Sequence, residues 1–251
     1  MENLKKYAKV MKEILNLETE PVAVFLLSSM TDEPTFSDFK DVEKHRYCQA
    51  LMRARRGEAI KLTNEQISCP AAARAFGFRP LPDGLASGKG LVGFGITQQP
   101  ETGKIMFENM PHLDPGSITH IALCPLKDAP LIPDVVVVEG EPEQLMWLLL
   151  ADLNMAGGER RIGNTAVLQA TCVDSTIIPY LENRMNFTLG CYGCREATDI
   201  KTTETVIGFP GNMLESLCKA IEYFSEKAMP RSRSKNTYKS LTDKRDAKGC
   251  E

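Results

Sequence analysis

A chain of 251 residues with a net charge of −3, 43% of them hydrophobic and 25% charged, has the balance of a globular protein and excludes a disordered or collagen-like one. Its length buries a core without covalent staples, so the eight cysteines are not needed as a disulfide framework. The longest apolar runs, "PVAVFLL" and "LMWLLLA", fall short of the roughly 20 residues that span a bilayer, and the charged amphipathic start is not a leader peptide. The expectation is a cytoplasmic protein with reduced thiols, where paired cysteines point to metal binding or catalysis.

Residues 2–17 carry helical periodicity, and "PVAVFLL" (21–27) follows as a strand. Residues 28–47 read as a polar connection, and "CQALMRARRGE" after it as a helix. In "ISCPAAARAFGF" Pro70 suits the first turn of a short helix, where no N–H is needed. Residues 80–118 are rich in Gly and Pro and read as an irregular cover over a site. "HIALCPL" (120–126) and "DVVVVEG" (134–140) are strands, and the β-branched run of the second predicts burial on both faces. Pro142 opens a helix over 142–155 that Gly157 and Gly158 close. "NFTLG" (186–190) and "ETVIGFP" (204–210) are strands, and 211–228 is a helix with Met213, Leu214, Leu217, Cys218, Ile221 and Phe224 on one face. The alternation predicts an α/β fold, a mixed sheet with flanking helices, as a single compact domain over residues 1–229. Residues 230–251, basic and almost without aliphatic side chains, read as a disordered tail.

The cysteines divide by surroundings. Cys124, Cys172 and Cys218 lie in apolar or helical context and read as packed thiols, although Cys124 and Cys172 sit near strand ends, where sites are built. Cys250 lies in the tail and is not expected to be a ligand. Cys48, Cys69, Cys191 and Cys194 each mark the border between a loop and a regular element, where a scaffold can aim a thiolate at a common point. A helix N-terminus there favours the ionised thiol. Four thiolates suit an iron–sulfur cluster or a structural zinc. The spacing, two distant cysteines and a late C-x-x-C, matches neither a zinc ribbon nor a ferredoxin run. A thiol–disulfide exchanger using Cys191 and Cys194 is the competing reading, against which "REATDIKTTE" promises no long helix.

Other motifs add little. "DGLASGKGL" fails the phosphate-loop pattern in its glycine spacing and in lacking Ser or Thr after Lys89. "GFGITQ" lacks the dinucleotide fingerprint. His45, His112 and His120 show no ligand spacing, although His45 stands close to Cys48. Arg55, seven residues after Cys48, shares its helix face; with Lys89 it is the cation expected to face a cofactor or a small anionic substrate.

Taken together, "CQALMRARRGEAIKLTNEQISCPAAARAFGF" and "NFTLGCYGCREATD" resemble a family catalogued as domain of unknown function 169, found largely in archaea and anaerobic bacteria. The resemblance runs over most of residues 5–228. Its pattern is a cysteine, an Ala-Arg-Arg-Gly-Glu element, a second cysteine and a late Gly-Cys, here Cys48, Arg55, Arg56, Gly57, Glu58, Cys69, Gly190 and Cys191. It implies no reaction, but its anaerobic distribution favours an iron–sulfur cluster over zinc, four-iron four-sulfur on Cys48, Cys69, Cys191 and Cys194. The expected partners are then a redox protein or a small anionic substrate, with a homo-oligomer left open and neither membrane nor nucleic acid expected.

Overall fold

The structure, a computed structural model, describes residues 2–28, 35–157 and 168–248. Its frame is a seven-stranded sheet of β1 (Val22–Leu27), β2 (Lys40–Asp41), β3 (Ile60–Thr63), β4 (His120–Pro125), β5 (Val135–Gly140), β6 (Asn186–Thr188) and β7 (Thr205–Pro210). They lie side by side in the order β2-β3-β4-β1-β5-β7-β6. Only β2 and β3 run parallel; the other neighbours are antiparallel, so the sheet is mixed.

The helices are α1 (Glu2–Leu15), α2 (Tyr47–Arg55), α3 (Pro70–Ala75), α4 (Asp83–Ala86), α5 (Lys89–Gly93), α6 (Pro100–Glu108) and α7 (Pro142–Ala156), followed by a π-helix over Ala170–Ile177. After it come α8 (Ile178–Glu182), α9 (Tyr192–Ala197), α10 (Leu214–Glu226), α11 (Ala228–Ser234) and α12 (Asn236–Lys248).

Strand pleating sorts the core into two layers. Ala23, Phe25 and Leu27 of the central strand β1 join one apolar cluster, while Val22, Val24 and Leu26 join the other. Both faces are dry, which is why "VAVFLL" and "VVVV" show no polar alternation. The first face is covered by α1, α7 and α10, whose Met11, Leu148, Leu217 and Ile221 are fully buried. Cutting one such Leu or Ile to Ala costs about 2–5 kcal/mol. Cys124 and Cys218 belong to this layer as packed thiols, and burial pushes both up to about 12.

The opposite face is covered by α2, α3, the π-helix and the segment over 80–118. That segment is helical where its glycines and prolines suggested irregular chain. Its glycines serve close approach: a Cβ on Gly88 would stand 1.9 Å from the Pro100 carbonyl oxygen. Leu85, Leu91 and Phe107 thereby reach the core. Gly157 closes α7 at φ 75°; Gly158 and Cys250 lie outside the described residues. The stretch read as a disordered tail continues helical as α11 and α12 to Lys248. Its residues to Thr242 are mostly exposed, and Arg233 pairs with Glu143 at 3.1 Å. Among the described residues no helix is long and apolar enough to cross a membrane.

Candidate functional site: a thiol-lined cavity

Three helices begin at one place on the second face. Cys48 lies in the first turn of α2, Cys69 is the N-cap of α3, and Cys191 is the N-cap of α9. Local sequence explains each start. The Gln49 side chain accepts the Arg46 backbone N–H at 3.0 Å, and Pro70 fills a first-turn position that needs no donor. Gly190, at φ 87°, supplies the left-handed turn from β6 into α9. At α9 the two thiols form a capping box: Cys194 N–H donates to Cys191 Sγ at 3.4 Å, and Cys191 N–H to Cys194 Sγ at 3.0 Å. Helix α9 has six residues, in keeping with the expectation of no long helix after the C-x-x-C.

These starts surround a cavity of about 230 Å³. Cys48, Cys69, Cys191 and Cys194 all line it, so the four cysteines singled out by their loop borders share one space. Cys172, whose apolar surroundings in the sequence point to a packed thiol, lines it too. It stands on the π-helix, a rare element that concentrates at functional sites. The wider turn is held by its own side chains: Ser175 Oγ reaches the Thr171 carbonyl at 3.1 Å and Thr176 Oγ1 the same carbonyl at 2.7 Å. The run of Thr, Ser and Thr in "ATCVDST", buried and polar at once, was the signal for this element. The mouth is formed by Phe94 and Tyr192, both about half exposed, and Leu85 lines the wall. In this respect the 80–118 segment does cover the cavity.

Electrostatics separate the thiols. Burial pushes Cys48 up to about 12, with Cys69 and Cys191 adding to the rise. Cys69 is raised by burial, although the N–H groups of Ala71 and Ala72 at its sulfur oppose this. Burial raises Cys172 well above the ordinary thiol range, and its neighbours Cys69, Cys191 and Cys48 add to it. Cys191 goes the other way. The Cys194 thiol hydrogen-bonded to it, and the N–H groups of Ala170, Cys194 and Gly193, lower it against burial. Cys194 is raised correspondingly, first by that bond and then by burial. Cys191 is thus the thiol of this cavity whose ionised form is favoured, while burial favours the neutral form of Cys48, Cys69 and Cys172.

Arg46 is the cation at this site. It lines the cavity, donates to the Gly193 carbonyl at 3.1 Å and to Glu196 at 2.9 Å, and its charge favours the ionised forms of Cys48 and Cys69. Arg55 and Lys89, the cations named from sequence, stand elsewhere. Arg55 is 3% exposed and holds Glu139 at 2.9 Å, Asp199 at 2.6 Å and Glu204 at 3.7 Å. It clamps the chain after α9 to the helix that bears Cys48 and does not line the cavity. Lys89 is exposed on α5, also off the cavity wall. His45 sits beside Arg53 at 3.1 Å.

Among the described residues, no group of three or more His, Cys, Asp or Glu side chains is arranged to hold a metal ion. A single ion with bonds near 2.3 Å draws its sulfurs close together, so these thiols would have to close in on one.

Fold and site define a mixed α/β protein with five thiols on one cavity beneath a layer of short helices. The chain belongs to the family described as DUF169, uncharacterised ArCR, whose model matches residues 10–220. It is 32% identical over 225 residues to an uncharacterised protein of Methanocaldococcus jannaschii, MJ0308, covering 89% of this chain and 95% of that one. No solved structure matches the chain.

Proposed function

We propose that the cavity binds a four-iron four-sulfur cluster on its thiolates and that the protein uses it in electron transfer or in redox chemistry on a small anionic substrate. The observation that carries this reading is that Cys48, Cys69, Cys191 and Cys194, from three distant segments, line one cavity. The donor set fits an anionic cluster. Backbone N–H groups already point at the sulfurs of Cys48, Cys69 and Cys191, and hydrogen bonds to sulfur stabilise cluster charge. Arg46 adds a cation on the wall. About 10–15 Å³ admits one water, so this cavity has room for a polyatomic group. Bound there, such a cluster supplies a one-electron carrier. The half-exposed Phe94 and Tyr192 at the mouth give a redox partner an aromatic surface to meet.

Zinc is the alternative metal, and it needs the thiols to converge on one atom. A second reading rests on Cys191 and Cys194 alone: two neighbouring thiols, one lowered and one raised, are the pairing that thiol–disulfide exchange uses.

Iron, sulfide and zinc contents of protein purified without oxygen, with a visible spectrum, decide among these. Broad absorption near 400 nm with about four irons and four sulfides per chain is the result expected for a four-iron cluster. One zinc and no colour makes the site structural. A metal-free chain that exchanges disulfides, and still does so after Cys48→Ser with Cys69→Ser, establishes the dithiol reading.

A further inference from the structure

Charge on the cavity wall is sparse. Among the described residues that line it, Arg46 is the one Lys, Arg or His, and Glu196 the one Asp or Glu. Resting on the small-anion half of the reading above, we infer that Arg46 is the binding residue for that substrate, and that the substrate class is a short monocarboxylate with an apolar body.

The guanidinium is held where charge and thiols meet. Arg46 is the N-cap of α2 and reaches across to α9, where Nη1 donates to the Gly193 carbonyl at 3.1 Å and to Glu196 Oε2 at 2.9 Å. Cys48, on α2, and Cys191 and Cys194, on α9, pack into one cluster where the same two helices touch. These thiols are buried, whereas the Arg46 side chain is 38% exposed. The cation therefore keeps an access to solvent that the sulfurs lack.

Half of the fork is unused. Both bonds fall on Nη1, and Nε and Nη2 meet no acceptor among the described residues. Those N–H groups form the edge that takes a carboxylate through two parallel hydrogen bonds. The Glu196 side chain is 55% exposed, so its pairing is a weak surface contact that an entering anion can displace. The Gly193 carbonyl belongs to the backbone and keeps the guanidinium in place.

The wall also sets the class. One cation, partly neutralised by Glu196, matches a single negative charge better than the two of a phosphate. Leu85, Phe94 and Leu168 line the cavity with no charge of their own and suit an apolar body. At about 230 Å³ the space falls below the roughly 300–1,000 Å³ of pockets that take drug-sized ligands, so that body is short.

The test compares iodoacetate with iodoacetamide on the metal-free full chain, with Cys191 followed by mass spectrometry. Both reagents react by one step, in which the thiolate forms an S–C bond and iodide leaves; they differ in carrying a carboxylate or an amide. The ratio of their rates cancels the ionisation of the thiol and reports the anion site. In the wild type it should exceed that of a small free thiol by about tenfold or more, the effect of one charged hydrogen bond. Iodoacetate rates should saturate, and butanoate should slow them more than inorganic phosphate does. Arg46→Gln is expected to return the ratio to the free-thiol value, and Glu196→Gln, which releases the fork, to raise it. Circular dichroism checks each fold, and a general loosening of α2 or α9 moves both rates without moving their ratio. A wild-type ratio equal to that of the free thiol, or one unchanged in Arg46→Gln, overturns the assignment. Stronger protection by phosphate than by butanoate overturns the monocarboxylate class. Iron and sulfide contents judge the cluster separately: a high ratio sustains the Arg46 site in a chain that takes up no cluster, and a free-thiol ratio removes that site from a chain that does.

Discussion

The phenol oxygen of Tyr47 lies 2.9 Å from Thr176 Oγ1, deep in the core, and ties the helix that bears Cys48 to the π-helix that bears Cys172. The Thr176 proton is committed to the Thr171 carbonyl at 2.7 Å, so Tyr47 is the donor. Tyr47→Phe removes that one bond and leaves Thr176 still satisfied, at a cost of about 1 kcal/mol. Thr176→Val removes both bonds and strands the buried tyrosine hydroxyl, so it should cost more, about 2–4 kcal/mol. Urea unfolding of the two variants tests this ordering; equal losses would show that the tyrosine is not the donor.

Gly208 of β7 sits under the same π-helix. A Cβ there would stand 1.8 Å from the Ser175 carbonyl oxygen, a backbone atom that cannot swing away. Gly208→Ala is expected to cost at least the 1–3 kcal/mol typical of overpacking. It should also push the Cys172 wall outward, so metal uptake falls more than in a surface variant of equal stability. A fully stable Gly208→Ala chain with normal uptake would show that the π-helix can shift without consequence.

The regular frame was legible because its signals are local. "DVVVVEG" reads as a strand dry on both sides, and the three- and four-residue spacing of α10 marks its buried face; both stand as read. What was missed depends on distant chain. Cys172 looked like a packed thiol because nothing within "LQATCVDS" says which wall it will join. Arg55 was expected to share the Cys48 face, and both are buried, yet the carboxylates that claim Arg55 come from β5 and from residues 199–204. A single short motif cannot announce either partner. The region over 80–118 was read as irregular because glycine allows turns, whereas Gly88 here allows contact.

Arg55 joins α2, β5 and the chain after α9 through one buried guanidinium. Arg55→Ala leaves Glu139 and Glu204 buried without their cation, and breaking such a pair on one side costs about 3–5 kcal/mol. Arg55→Lys keeps the charge but loses the fork that serves several carboxylates. Thermal unfolding should rank wild type above Lys and Lys above Ala. A near-neutral Arg55→Ala would mean that the carboxylates simply take up protons.

Glu139 gives that cluster a pH dependence. Burial raises its carboxyl to about 7, Arg55 pulls against the rise, and Glu204 adds to it. The folded chain thus keeps a proton that the unfolded chain has already lost. The contribution to stability is full below the ordinary carboxyl value and disappears as pH climbs through about 7. Glu139→Gln has no proton to lose there. The stability difference between the two proteins should therefore shift in favour of the variant across that window, by a few kcal/mol at about 1.4 kcal/mol per unit. Chemical denaturation at closely spaced pH values reads it; a difference that stays flat shows that Glu139 is ionised throughout.

The thiols themselves can be ranked in the metal-free protein. Cys191 is lowered by its bond to the Cys194 thiol and by backbone N–H groups, whereas burial raises Cys48, Cys69 and Cys172. The thiolate is the reactive form, so Cys191 should be alkylated first at neutral pH, at a rate that levels off above its lowered pKa. The other three should react only as the solution becomes strongly alkaline. Cys194→Ala deletes the hydrogen bond that does most to hold Cys191 down. Its thiol then moves back toward the ordinary range, and neutral-pH labelling should slow, by about tenfold for each unit that its pKa rises beyond the labelling pH. Mass spectrometry after brief iodoacetamide exposure follows each site separately. Labelling of Cys48 or Cys69 ahead of Cys191, or no slowing in Cys194→Ala, would show that burial outweighs the α9 cap in setting where the charge resides.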